Sequence, residues 1–188
     1  MADYHGQVFE LRKNFRTGFS KDVEWRKNQL KSLSRMYEEN EDLIVEALKK
    51  DLRKSKWETG KVIRKYAGRG RSHHSSFSVV CETDYLKNDL RAALSNIDEW
   101  VKDRPVRKQV STLFDQTVVR PEPFGVVLVM GAWNYPFNLT MGPVHGALAA
   151  GNCVVVKPSE LAENSASVMA SLLPKYLDPR CSPYNQTK

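Results

Sequence analysis

From Ser20 onward, apolar residues recur at helical spacing: Val23, Leu30, Leu33, Met36 and Tyr37 form one stripe, with Asp22 and Glu24 in the first turn. Ser20 is the expected N-cap. A second stripe of Ile44, Leu48 and Leu52 follows Asn40, Glu41 and Asp42, a cap-like residue and two acids that suit a helix start. A third begins near Thr83 and carries Leu86, Leu90, Ala93, Leu94, Ile97 and Val101, with Pro105 expected to close it. Polar residues fill the opposite faces. The pattern therefore predicts surface helices that cover a core.

Past residue 108 the period changes. QVSTLFDQTVVR, from Gln109 to Arg120, reads as two short strands around Asp115-Gln116, a hairpin. Pro121 and Pro123 then lead into GVVLVM, an apolar run with no alternation. It is followed by PFNLTMGPVHGALAAG, by NCVVVKPSE, and by a helical pattern from about Asn164 to Leu177. This order is β-α-β-α, and near-continuous apolar strands predict a parallel sheet buried on both faces. Two strands are too few for such a sheet, since three or more with cover are normally needed. DPRCSPYNQTK, the end of the sequence, contains no strand pattern. The chain reads as a unit cut short.

Composition changes little. The 188 residues are 41% hydrophobic and 27% charged, an ordinary globular balance. The first residues, MADYHGQVFELRKNF, lack a signal-peptide core, and no apolar run approaches a membrane span, so a cytoplasmic location is expected. Cys81, Cys153 and Cys181 form neither an even set nor a CxxC pair, and the four histidines have no ligand spacing; neither a disulfide framework nor a metal site is expected. The net charge of +7 is local. Thr59 to Cys81 holds Lys61, Arg64, Lys65, Arg69 and Arg71 and no acid, and the remainder is nearly neutral. Five basic residues with only Tyr66 and Phe77 as stacking partners read as a solvated loop, not as a nucleic-acid surface.

The stretch with candidate chemistry is GAWNYP, Gly131 to Pro136, directly after the first apolar run. A strand end, a turn and a proline at the first helical position would present exposed backbone N–H groups at the edge where open α/β folds keep their ligands. The GxGxxG fingerprint of ordinary dinucleotide folds is absent, but Lys157 and Glu160 stand where the second strand ends, in KPSE. By spacing alone these residues fit a nucleotide site, and equally a solvated strand end, a turn-forming Asn134 and a core-packing Trp133.

The combination FGVVLVMGAWNYPFNLTMGPVHGALAAGNCVVVKPSELAENSASVMASLLPKYLD resembles the first part of the cofactor domain of the NAD(P)-dependent aldehyde dehydrogenases, of the short-N-terminus class that includes the fatty and aromatic aldehyde enzymes. WNYP followed by AAGN and KPSE is a highly specific order. The likeness extends upstream through LRKNFRTGFSKDVEWRKNQLKSL and YLKNDLRAALSNIDEWV. In that family a cysteine thiolate attacks the aldehyde, hydride passes to the nicotinamide, and a glutamate activates water to release the acid. The resemblance assigns oxyanion stabilisation to Asn134, a place on the cofactor wall to Trp133, and the adenosine ribose to Lys157 and Glu160, with NAD or NADP as cofactor and an aldehyde as substrate.

The resemblance implies an α/β chain with a partial aldehyde dehydrogenase fold: a helical N-terminal region (1–58), a basic insert (59–82), a helix and an oligomerisation-type hairpin (83–120), the first β-α-β-α of a parallel cofactor-binding sheet (121–178), and a divergent tail (179–188). None of the three cysteines stands in the context of the family nucleophile. Cys153 reads as a buried strand residue, and His145, where the family usually has an aliphatic residue, as a tolerated helix residue and not a ligand. The expectation is a truncated isoform, inactive alone, that forms a homodimer. The alternative is a non-catalytic module that pairs with full-length subunits through Val110 to Arg120.

Overall fold

The computed structural model describes residues 4–52, 82–108, 110 and 114–182. Most of the basic insert, with Cys81, lies outside these residues, as do Gln109, residues 111–113 of the expected hairpin, and the tail beyond Ser182. Helix α1 (Tyr4–Arg16) is followed by a one-turn 3-10 helix (Phe19–Lys21), α2 (Val23–Glu39), α3 (Glu41–Leu52), α4 (Glu82–Trp100), strands β1 (Arg104–Pro105), β2 (Val118–Val119) and β3 (Val126–Met130), α5 (Pro136–Ala149), β4 (Cys153–Lys157) and α6 (Glu163–Tyr176). No helix among the described residues is long and apolar enough to cross a membrane.

The predicted stripes are buried: Leu30, Leu33, Met36 and Tyr37 of α2, Ile44 and Leu48 of α3, and Leu86, Leu90, Ala93 and Ile97 of α4 meet Phe137, Met141, Val144 and Leu148 of α5 in one core. Boundaries differ in detail. Gly18, in the left-handed region at φ 84°, turns the chain so that Ser20 falls inside the 3-10 turn, and the cap of α2 is Asp22, whose carboxylate accepts from the Glu24 and Trp25 amides. Asn40 does stand at the α2–α3 junction. Its carbonyl accepts the Ile44 amide, while its side-chain nitrogen donates back to the Met36 carbonyl and to Tyr176 Oη. Helix α4 ends at Trp100, and Pro105 lies beyond it in β1.

The hairpin takes a different partner from the one expected. Val118–Val119 pairs antiparallel with Arg104–Pro105, so the returning strand lies upstream of Gln109. A proline has no N–H to give a ladder and fits this two-residue edge. Arg120 grips Asp103 with two nitrogens, at 2.9 and 2.6 Å, and fixes the base of the ribbon.

Strands β3 and β4 are parallel, with Val126 opposite Cys153 and Met130 opposite Lys157. Asn152 sets this register: its Oδ1 accepts the Gly125 amide and its Nδ2 donates to the Ala147 carbonyl, tying α5 to both strands. Val129, Val154 and Val156 face the helical core. On the opposite face Leu11 and Phe15 of α1 cover Val126, Cys153 and Val155. The sheet is thus not buried throughout, because Leu128 is 57% and Met130 70% exposed where the cover of α1 ends.

The cysteine expectation is overturned. Cys153 is a buried strand residue, and it is joined by a disulfide to Cys181, with their Cα atoms 4.4 Å apart. The odd number of cysteines conceals this pair in the sequence. Segment 178–182 folds back on the domain. The Cys181 carbonyl accepts the Val154 amide at the outer edge of β4, Asp178 accepts from Trp25 Nε1, and Arg180 stacks over the Phe19 ring.

Candidate functional site

Gly131 to Tyr135 links the end of β3 to α5. The Gly131 amide donates to the Lys157 carbonyl at 2.8 Å, so the ends of the two strands are held side by side. A side chain at 131 would not fit, since a Cβ there would lie 1.9 Å from Thr140 Oγ1. Trp133, 52% exposed, and Asn134, also exposed, project on the loop that leaves this point.

Lys157 and Glu160 form an ion pair of 3.0 Å in the turn after β4, both exposed. The Glu160 carboxyl is held below its usual range by its own backbone N–H and then by Lys157. The pair sets an ionised acceptor beside an ammonium donor. The four predicted site residues therefore lie on two adjacent strand ends, Trp133 and Asn134 on one and Lys157 and Glu160 on the other.

One expectation fails here. The backbone N–H groups at the start of α5 are not available to a ligand. Pro136 has none, Phe137 and Asn138 donate to Oε2 of Glu82 at 3.0 and 3.2 Å, and Leu139 donates to the Tyr135 carbonyl. Glu82 is fully buried at the first turn of α4. The first turn of α5 therefore offers no free amide to a ligand. The signal for Glu82 is indirect: Tyr135, at the N-cap of α5, makes no capping hydrogen bond of its own, and Glu82 is an acid at the start of the α4 stripe.

His145 is likewise more than a tolerated helix residue. It is 1% exposed, its Nδ1 lies 2.8 Å from Asp89 Oδ2 and its Nε2 2.9 Å from Tyr37 Oη. The neutral tautomer with hydrogen on Nδ1 satisfies both contacts, donating to Asp89 and accepting from Tyr37. The three residues join α2, α4 and α5 away from the loop.

The described residues form an α/β unit whose two parallel strands end side by side. The profile of the aldehyde dehydrogenase family matches residues 6–180, and the chain belongs to that family. It is 43% identical over 181 residues to aldehyde dehydrogenase family 3 member B1 of Bos taurus, covering 96% of this chain and 35% of that protein. To family 3 member A2 of Mus musculus it is 44% identical over 172 residues, covering 92% and 32%. Staphylococcus aureus AldH, solved in a substrate-bound state, superposes with a TM-score of 0.84 at 30% identity, over 100% of this chain and 37% of that one. The chain thus spans about a third of the length of the curated relatives it matches.

Proposed function

We propose that this chain supplies the opening half of the nucleotide site and the oxyanion donor of an NAD(P)-dependent aldehyde dehydrogenase. In this reading Lys157 and Glu160 hold the adenosine ribose hydroxyls and Trp133 walls the cofactor. Asn134 donates its side-chain amide to the oxygen that gains charge when an aldehyde carbon is attacked. The nicotinamide, when bound, accepts hydride. A donor of this kind accelerates a reaction by about 10²- to 10³-fold, or roughly 2.7–4 kcal/mol, once an oxyanion exists. The observation that carries the reading is the Gly131–Lys157 hydrogen bond, which keeps the loop of Asn134 beside the turn of Lys157 and Glu160.

The same reading makes residues 1–188 inactive alone. Of the cysteines, Cys153 and Cys181 are buried and joined to each other, and no glutamate here matches the family base by motif. The purified protein, with NAD or NADP and a long-chain or aromatic aldehyde, is expected to bind nucleotide weakly, to lose that binding in Lys157→Ala, and to form no reduced cofactor. Nucleotide binding that is indifferent to both Lys157→Ala and Glu160→Ala would refute the site. Aldehyde oxidation lost with Asn134→Ala would refute the inactivity.

The exposed apolar side chains around the ribbon favour a second reading, association with another subunit. Phe114 is 99% and Phe124 98% exposed, and Val119 of β2 is exposed as well. Mixed-tag pull-down against a full-length relative is expected to recover this chain, and Val118→Asp with Val119→Asp to abolish recovery. Wild-type protein that never associates would remove this reading.

A further inference from the structure

We infer that Glu82 is a positioning residue for the Asn134 loop, acting through the first turn of α5. This rests on the reading of Asn134 as the oxyanion donor, but the placement it describes is measurable without turnover.

Three observations carry it. Glu82 is a fully buried carboxylate, a position that acidic side chains rarely take unless their charge is met by donors. Its Oε2 accepts both amides that α5 leaves open, those of Phe137 and Asn138, and the positive end of the helix favours the negative charge. Those amides follow Asn134 by three and four residues, with only Tyr135 and Pro136 between. Pro136 fixes its own φ and restricts Tyr135 before it, so little slack separates the anchored turn from Asn134. At the other end Gly131 is fixed by Lys157 and by its close approach to Thr140. The loop is pinned on both sides, by β4 at its start and by a carboxylate from α4 at its end.

A second helix provides an internal control. Helix α6 also lacks a cap of its own, at Ala162, and is capped from a distance by Asp51 of α3, whose two oxygens accept the Asn164 and Ser165 amides at 3.0 and 2.7 Å. Asp51 and Glu82 perform the same structural task, and only Glu82 caps the helix that follows Asn134.

The test is a backbone and side-chain amide spectrum of the 188-residue chain with residue-resolved hydrogen exchange, for wild type, Glu82→Ala, Glu82→Gln and Asp51→Ala. Glu82→Ala is expected to speed exchange at Phe137 and Asn138 by roughly ten-fold or more and to move the Asn134 side-chain amide and Trp133 indole signals. Glu82→Gln keeps an acceptor oxygen and is expected to leave those signals near their wild-type positions. Asp51→Ala is expected to speed exchange at Asn164 and Ser165 and to leave Asn134 and Trp133 unmoved. If Glu82→Ala fails to fold, Glu82→Asp, which draws the carboxylate back by one methylene, is read with the same expectation. Unmoved Asn134 signals in the folded Ala or Asp variant would overturn the proposal. So would equal disturbance by Asp51→Ala, or a Gln variant as disturbed as the Ala one. Nucleotide binding indifferent to Lys157→Ala and Glu160→Ala would overturn the function proposed above and leave these signals unaffected.

Discussion

Replacing His145 tests the buried network most directly. Burial holds its imidazole below the usual histidine range, and the hydrogen bond and charge of Asp89 offset this only in part, so the folded protein carries it neutral. The unfolded chain takes up the proton near pH 6.5. Stability from this group is therefore complete above about pH 6.5 and is lost as the pH falls from there toward the lower folded value, with a slope of up to about 1.4 kcal/mol per pH unit. Protonation also reverses the contact with Tyr37, so that Nε2–H donates to the hydroxyl oxygen and the hydroxyl hydrogen loses its acceptor. Nε2 would then carry hydrogen and face Tyr37 Oη, whose own hydrogen burial retains by raising its pKa well above the ordinary value.

His145→Met keeps most of the volume but leaves the fully buried Tyr37 hydroxyl without its acceptor, which costs about 1–3 kcal/mol. Tyr37→Phe added to it removes that hydroxyl, and the double variant is expected to recover most of the loss. Urea unfolding followed by tryptophan fluorescence, at about pH 7.5 and about pH 5.5, measures both effects. The wild type is expected to lose more stability between the two conditions than the double variant does. Equal losses in the two proteins would refute the reasoning, as would a double variant no better than the single one.

Two further outcomes follow from the contacts. Reducing Cys153–Cys181, which closes 28 residues of sequence, is expected to remove about 3–4 kcal/mol of stability and to raise the thiol count under denaturing conditions from one to three; an unchanged melting midpoint with all three thiols titrating would contradict it. Burial pushes the Asp51 carboxyl up, but hydrogen bonds from Ser165 and Asn164 outweigh it and the net shift is downward. Its capping contribution of about 1 kcal/mol is therefore present above the unfolded value near pH 3.9 and lost as the pH falls through the lower folded value. Asp51→Ala should cost that amount at neutral pH and nothing once both forms are protonated, and a constant difference down to that range would show that the carboxylate is not the cap.

What the sequence discloses and what it withholds divide along a physical line. The stripes of α2, α3 and α4 are legible because burial selects residues every third or fourth position along one segment, and Leu30, Ile44 and Leu86 are each buried as their spacing implies. The β3–α5–β4 order is legible because GVVLVM and CVVV are short, β-branched apolar runs bounded by turn residues, although Leu128 and Met130 remain exposed. The turn from β3 into α5 is legible because a local string, GAWNYP, carries it. Contacts made across the fold leave no such trace. Glu82 reaches α5 over a separation of 55 residues and Asp51 reaches α6 over 113, and neither spacing corresponds to any period. Yet the recipients are marked by a deficiency. Tyr135 and Ala162, neither a good cap, stand where α5 and α6 begin. A helix whose N-cap cannot serve its own amides, and whose start is buried, requires a donor-seeking group from elsewhere. Helices that lack caps, taken together with acids at the ends of other apolar stripes, point to Asp51 and Glu82. Both sit where a stripe meets its terminus, Asp51 beside Leu52 at the end of α3 and Glu82 at the start of α4. The same reasoning explains why the start of α5 serves this protein as an anchored turn and not as an anion site. Its two open amides, those of Phe137 and Asn138, are committed to Glu82.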